Sequence, residues 1–73
     1  MDKKTIRVGD YFFNEDKSDI IKLFAYRNDN TVIMASATGK RKHWFLMKIE
    51  YLHLLEQISK SQLAWSLLQI TND

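Results

Sequence analysis

The chain has 73 residues, no cysteine and no proline, with 45% apolar and 27% charged residues. A chain this short buries only about 60% of its unfolded surface, so it holds one modest core and would carry any catalytic site on its rim. Without cysteine, it forms no disulfide, thiolate zinc site or cysteine nucleophile. We therefore expect a single small domain over residues 1–73.

Charge is distributed unevenly along this chain. Residues 1–48 carry ten Lys or Arg against six acidic residues, whereas residues 49–73 carry one lysine against three acids. The net charge of +2 argues against a histone-like or ribosomal protein, because such binding draws on many phosphate contacts. The longest apolar run, Trp44 to Met47, is far shorter than the ~20 residues of a membrane span, and the charged N-terminus lacks a signal-peptide pattern. We expect a cytoplasmic protein without membrane contact or small-molecule substrate.

In chain order, residues 1–47 predict an antiparallel meander. Residues 5–8 alternate, Gly9 and Asp10 indicate a turn, and residues 11–13 continue the β-prone pattern, which predicts a strand with a bend. The polar residues 14–19 predict an exposed loop whose carboxylates are solvated. Residues 20–37 then predict a hairpin with its turn at 28–30, and residues 41–47 supply a fourth strand.

Alternation also assigns faces within these strands. In residues 20–27 it places three side chains on one face, namely Ile21, Leu23 and Ala25, and four on the other, namely Ile20, Lys22, Phe24 and Tyr26. In residues 41–47 it places Lys42, Trp44 and Leu46 opposite the remaining four, namely Arg41, His43, Phe45 and Met47. Both faces of the hairpin are thus largely apolar.

From Ile49 the hydrophobic period changes from two to about 3.6. An amphipathic helix is predicted by apolar residues at i, i+3, i+4 and i+7, namely Tyr51, Leu54, Leu55 and Ile58. On a continuous helix Leu63, Leu67 and Ile70 lie well away from this stripe, and Ser59 with Gln62 matches a capping box, so a second helix can begin near Ser61. Residues 48–71 are therefore expected to form a helical cap of one long or two short helices.

These elements predict an α+β domain, a small antiparallel sheet of three to four strands followed by C-terminal helix. The opening Ile6-Arg-Val-Gly-Asp-Tyr, followed by short strands, resembles small SH3-like barrels that carry a terminal helix. The resemblance implies a closed sheet. It does not choose a function, because different families of such barrels bind proteins, peptides, DNA or RNA.

The sequence does not contain a complete catalytic or metal-binding motif of the following kinds. Two glycines thirty positions apart cannot form a nucleophile elbow or a phosphate-binding glycine loop. Glu50 and His53 have the E-x-x-H spacing of carboxylate-bridged di-iron bundles, but such sites need a second pair and further glutamates. His43 has no companion at metal-ligand spacing. We expect no enzyme activity, no cofactor and no metal.

One candidate binding site is the basic hairpin 40–45. It combines cationic or titratable side chains with an aromatic ring that can stack on a base, namely Lys40, Arg41, Lys42, His43 and Trp44. An edge strand rich in Lys and Arg also discourages aggregation, and its rings can belong to the core. Nucleic-acid binding by the sheet and this hairpin is therefore our alternative interpretation.

The other candidate is the C-terminal segment 61–70. Its residues Leu63, Leu67 and Ile70 share one helical side, displaced from the stripe of 51–58, which leaves Trp65 and Leu68 to complete the core. A tryptophan turned outward would instead be a binding hot spot. Our leading interpretation is a small non-catalytic interaction protein, an adaptor, inhibitor or regulator that binds another protein or its own copy. The expected contact residues are Leu63, Trp65, Leu67 and Ile70.

Overall fold

The computed structural model of this protein describes residues 6–40 and 43–71. Within these two ranges, seven elements follow one another: β1 (Tyr11–Phe13), β2 (Ile20–Tyr26), β3 (Thr31–Ser36), β4 (Phe45–Lys48), α1 (Ile49–Leu52), β5 (Gln57–Ile58) and α2 (Lys60–Thr71). The protein is α+β, as the sequence predicts.

The described strands form one antiparallel sheet in the order β4-β3-β2-β1-β5. The predicted hairpin is confirmed as β2 and β3. Its turn forms because the Asn28 side-chain oxygen accepts hydrogen bonds from the backbone amides of Asn30 and Thr31, at 2.8 and 2.9 Å. The fourth predicted strand is confirmed as β4, although it begins at Phe45 rather than at residue 41.

The expectation of three to four strands in an SH3-like barrel is wrong in its details, because the part of the chain that the structure describes contributes five strands to an open sheet. Its two edges are β4 and β5, which do not pair with each other. The chain runs between these edges through α1, which buries Leu52 in the core. The connection between the two edges therefore contributes Leu52 and Leu55 to the core.

The helix predicted over residues 51–58 is mostly absent. The helix α1 ends at Leu52, and tight turns follow in which the Leu55 amide donates to the Leu52 carbonyl at 3.1 Å. Gln57 and Ile58 then pair with Phe12 and Tyr11 of β1. The edge of β1 offers backbone hydrogen bonds to Gln57 and Ile58. The local helical period does not predict such long-range pairing.

The second predicted helix is confirmed as α2, which begins at Lys60, one residue before the position expected. The capping box itself differs from the prediction, since the Ser59 hydroxyl lies 3.1 Å from the Ser61 hydroxyl. The Gln62 amide donates to the Ser59 carbonyl at 3.0 Å. Residues 48–71 are thus a short helix, a strand and a longer helix rather than an all-helical cap.

A β-bulge in β2 changes the predicted faces. The register shifts between Leu23 and Ala25, so that Ala25 pairs with Ile33 and Tyr26 pairs with Val32. One extra residue on a strand reverses the alternation beyond it. Ala25 therefore lies on the face opposite the core and Tyr26 on the core side, the reverse of the alternation-based assignment.

The main cluster of core residues lies on one side of the sheet. Its buried side chains come from β1, β2, β3, α1 and the turn after α1, namely Phe12, Ile21, Leu23, Val32, Met34, Leu52 and Leu55. Four half-buried apolar side chains flank it, namely Ile6, Phe45, Met47 and Ile49. Phe45 and Met47 therefore face the core, and alternation turns Leu46 away from it.

The polar loop 14–19 is less solvated than expected, because Asp19 is buried. Its carboxylate accepts hydrogen bonds from the Ile20 amide at 2.8 Å and from the Ser36 hydroxyl at 2.9 Å, and Thr38 donates a further one. Asp19 thereby ties the loop to the turn that follows β3.

Candidate functional site

The side of the sheet away from the core carries an apolar and basic surface, which we call the outer face. It is formed by outward positions of β2, β3 and β4, namely Lys22, Phe24, Ala25, Ile33, Ala35, Leu46 and Lys48. Pairing aligns them in rows: Ile33 lies between Ala25 and Leu46, and Ala35 lies beside Lys22. Cross-strand neighbours of this kind are close enough to act as one surface.

Large apolar groups on this outer face are open to solvent. The Phe24 ring is 61% exposed and Leu46 is also exposed, whereas Ile20 and Ile58, which point to the same side nearer β1 and β5, are buried. Trp44 stands two residues before Leu46, so alternation gives it the same side, and its indole is 64% exposed. The open part of the outer face is therefore the part toward β4.

The charged groups of the outer face are both lysines. The ammonium of Lys22 lies 5.7 Å from the centre of the Tyr11 ring, a favourable cation–π arrangement. Lys48 is exposed at the end of β4 and pairs with Thr31. Within residues 6–40 and 43–71, no outward strand position of this face is Asp or Glu. Glu50 reaches only its rim, where it lines a groove with Lys48.

The structure only partly brings the predicted polyanion-binding residues together. Lys40, His43 and Trp44 are exposed, while Arg41 and Lys42 lie outside the described residues. The Lys40 ammonium donates to the Ser18 carbonyl at 2.6 Å, so part of its hydrogen-bonding capacity is used within the fold. Trp44 is exposed and is not a core ring, so the sequence-based alternative that placed it in the core is wrong.

The helix α2 is turned differently from the expectation. Leu63, Leu67 and Ile70 are half-buried, whereas Trp65 is 63% exposed and Leu68 is 51% exposed. The idea that Trp65 and Leu68 complete the core is therefore wrong. Because the four predicted contact residues fall on two sides of α2, we define the outward side of α2 as Trp65 and Leu68.

A third surface feature is a groove of about 350 Å³ beside the loop 14–16, with Phe45 and Met47 among its lining residues. At its edge the Tyr51 hydroxyl donates to a Glu15 oxygen at 2.7 Å, which raises the pKa of Tyr51 above 10.0. The hydroxyl and amide of Ser18 donate to Asp16 and lower the pKa of that carboxyl. These bonds order the loop.

The E-x-x-H pair does not form part of a larger cluster of ligands in the described residues. Glu50 is exposed and His53 is half-buried, and within the described ranges no group of three or more His, Asp or Glu could hold a metal ion. None of the helices in this part of the chain has the length and apolar character needed to cross a bilayer.

Comparison with known proteins found no match among protein-family models, curated proteins or solved structures. We therefore infer the function from the chemistry of the outer face and of the outward side of α2.

Sequence reasoning missed the outer face as a single surface. The signal was present, since alternation already placed Lys22 beside Phe24 and Trp44 beside Leu46. What it lacked was the strand order, which sets β3 between β2 and β4 and so unites the two pairs. Lys48 was missed because the strand was predicted to end at residue 47.

Proposed function

We propose that this chain is a small non-catalytic interaction protein of the cytoplasm. It binds another protein, or a second copy of itself, through α2, and acts as an adaptor, inhibitor or regulator. The observation that carries the proposal is that α2 exposes Trp65 and Leu68, while none of the side chains described in α2 is buried in the core.

The exposure of these two residues supports this proposal energetically. Full burial of a large apolar side chain gains about 1.5–3 kcal/mol, and Trp is among the residues that dominate interfaces. Trp65 and Leu68 lie three residues apart and so form one continuous ridge on the helix. A partner with an apolar groove would cover this ridge, as in other helix-in-groove complexes.

The other side of α2 supports the proposal structurally. Leu63, Leu67 and Ile70 are half-buried, so that side keeps α2 attached to the domain. The partner can therefore dock on Trp65 and Leu68 without detaching the helix. Of the residues predicted from the sequence, Trp65 becomes the main contact, and the other three support its placement.

The variant Trp65→Ala tests the proposal. We expect it to remain folded by circular dichroism, because its indole is mostly exposed, and to weaken self-association or capture of a partner by at least tenfold. Light scattering after size-exclusion chromatography measures self-association, and titration calorimetry with a captured partner measures hetero-association.

The chain supplies its own control in Trp44→Ala, which removes an equally exposed indole from a different surface. The protein-binding proposal requires that this variant associates like the unmutated protein. Equal losses in the two variants, or no loss in Trp65→Ala, would show that α2 is not the contact surface.

A further inference from the structure

We propose that the outer face binds single-stranded nucleic acid. The exposed rings of Trp44 and Phe24 stack on bases, and Lys22 and Lys48 neutralise backbone phosphates. No residue of this surface belongs to the outward side of α2, so the inference is independent of the protein-binding proposal.

The spacing of the outer face suits an unpaired strand. Alternate residues along a strand are about 7 Å apart, which sets Leu46 and Lys48 in a line along β4, and Trp44 precedes this line directly before the strand. Lys22 and Phe24 stand on β2, about 10 Å across the sheet from that line. Rings and ammonium groups thus alternate over a patch the size of a few nucleotides.

Two alanines lie among the larger side chains of this face. β3 contributes Ala35 and Ile33 between the two lines, and β2 adds Ala25 beside Phe24 through the bulge. The small side chains of Ala35 and Ala25 leave room for a base to lie against the sheet. The bulge is therefore functional in this proposal, because without it Ala25 would face the core.

Charge selects nucleic acid as the occupant. The outer face has two lysines and no carboxylate among its described positions, and residues 1–48 carry ten cationic against six acidic residues. Binding of a nucleic-acid backbone to such a surface gains affinity from the release of counterions. A protein partner of mixed surface charge would not gain affinity in this way. A five-stranded sheet is broader than the two-stranded ribbon that the major groove of a duplex admits, whereas unpaired bases offer their faces for stacking.

Fluorescence anisotropy with a labelled oligo-uridine, an oligo-thymidine and a duplex of equal length tests this inference. We expect both single strands to bind and the duplex to bind more weakly. Trp44→Ala should lower single-strand affinity about 5-fold to 150-fold, the loss found for one stacked base. The matched variant Trp65→Ala, with an equally exposed indole on α2, should bind like the unmutated protein.

The lysines are tested by the salt dependence of binding. The double variant Lys22→Gln, Lys48→Gln should reduce the slope of log affinity against log salt by about 1.4, or about 0.7 for each phosphate that a lysine no longer neutralises. In a Trp65→Phe background, single strands should also quench the fluorescence of Trp44, the remaining tryptophan.

Three results would overturn the inference. The first is absence of single-strand binding at low salt. The second is binding that Trp44→Ala and the lysine double variant leave unchanged, which would move the contact to residues 40–43. The third is a duplex affinity equal to that of single strands, which would reduce the interaction to phosphate attraction. None of these results bears on the Trp65 experiment, so the two proposals fail separately.

Discussion

Asp19 shows how a single side chain organises this small fold. It is buried, its carboxylate accepts bonds from the Ile20 amide and the hydroxyls of Ser36 and Thr38, and its own amide donates to the Asn14 side chain at 3.0 Å. A buried carboxylate is stable only when its oxygens are satisfied in this way. Asp19 therefore sets the positions of the loop 14–19 and the turn after β3 relative to each other.

Replacing Asp19 should destabilise the domain. We expect Asp19→Ala to lower the free energy of unfolding by about 2–3 kcal/mol, because buried donors lose a charged acceptor. Asp19→Asn keeps one acceptor oxygen and should cost less. Urea unfolding measures both, with Asp29→Ala in the exposed turn 28–30 as the control that leaves the midpoint unchanged. An equally stable Asp19→Ala would mean that the network contributes nothing.

The Tyr51 hydroxyl gives the stability a dependence on alkaline pH. Its hydrogen bond to Glu15 raises the folded-state pKa above 10.0. A group with a raised folded pKa contributes stability that is complete below its unfolded pKa and is lost as pH rises through the folded pKa. The contribution should thus be constant at neutral pH and disappear in the alkaline range.

Urea unfolding of Tyr51→Phe at increasing pH checks this expectation. The variant lacks the titrating hydroxyl, so the stability difference from the unmutated protein should stay constant up to about pH 10 and shrink above it. Contributions of groups that both proteins share cancel in the difference. A difference that does not change with pH would contradict the role assigned to this bond.

At the scale of elements, the segment 51–58 illustrates competition between local and long-range structure. Its apolar spacing fits a helix, yet only Ile49–Leu52 is helical and Gln57–Ile58 pairs with β1. The consequence appears at two neighbouring leucines. Leu52 is fully buried, whereas Leu54, which belonged to the predicted apolar stripe, is 80% exposed.

Alanine substitution at these two leucines distinguishes the alternatives. Leu52→Ala should lower the free energy of unfolding by about 2–5 kcal/mol, because it leaves a cavity in the core. Leu54→Ala should change it by less than about 0.5 kcal/mol, as at other exposed sites. Chemical denaturation measures both values. The reverse order would restore the amphipathic helix and contradict the strand β5.

For the whole molecule, stability should be unequal between sheet and terminal helix. The buried side chains of β2 and β3 form much of the core, while no side chain described in α2 is buried. Segments with little buried apolar surface open at lower free energy than the core.

Native-state amide hydrogen exchange should therefore show weaker protection in α2 than in β2 and β3. If α2 binds a second copy, its protection should also increase with protein concentration while that of the hairpin stays constant, because binding stabilises the ordered helix. Protection of α2 equal to that of β2 at low concentration would show that the helix belongs to the cooperative core and would argue against its availability to a partner.

The sequence by itself determined the α+β class, the hairpin of residues 20–37, the fourth strand and the second helix. These features depend on local signals: alternation of period two, the turn-forming Asn28-Asp29-Asn30, and a helical period that begins near Ser61. It also identified Trp65 and Trp44 as candidate binding residues, because large rings beside polar or charged neighbours need an explanation wherever they lie.

Only the tertiary structure decided which of these residues face outward. The bulge at Leu23–Ala25 exchanged the faces of Ala25 and Tyr26. Gln57 and Ile58, which were predicted to be helical, pair with the edge of β1. Contacts with the rest of the fold decide which side of α2 faces outward. Hydrophobic periodicity does not distinguish the two sides, since both are apolar. Backbone hydrogen bonds between distant segments and burial against the rest of the fold settle such choices, and neither is encoded in local spacing.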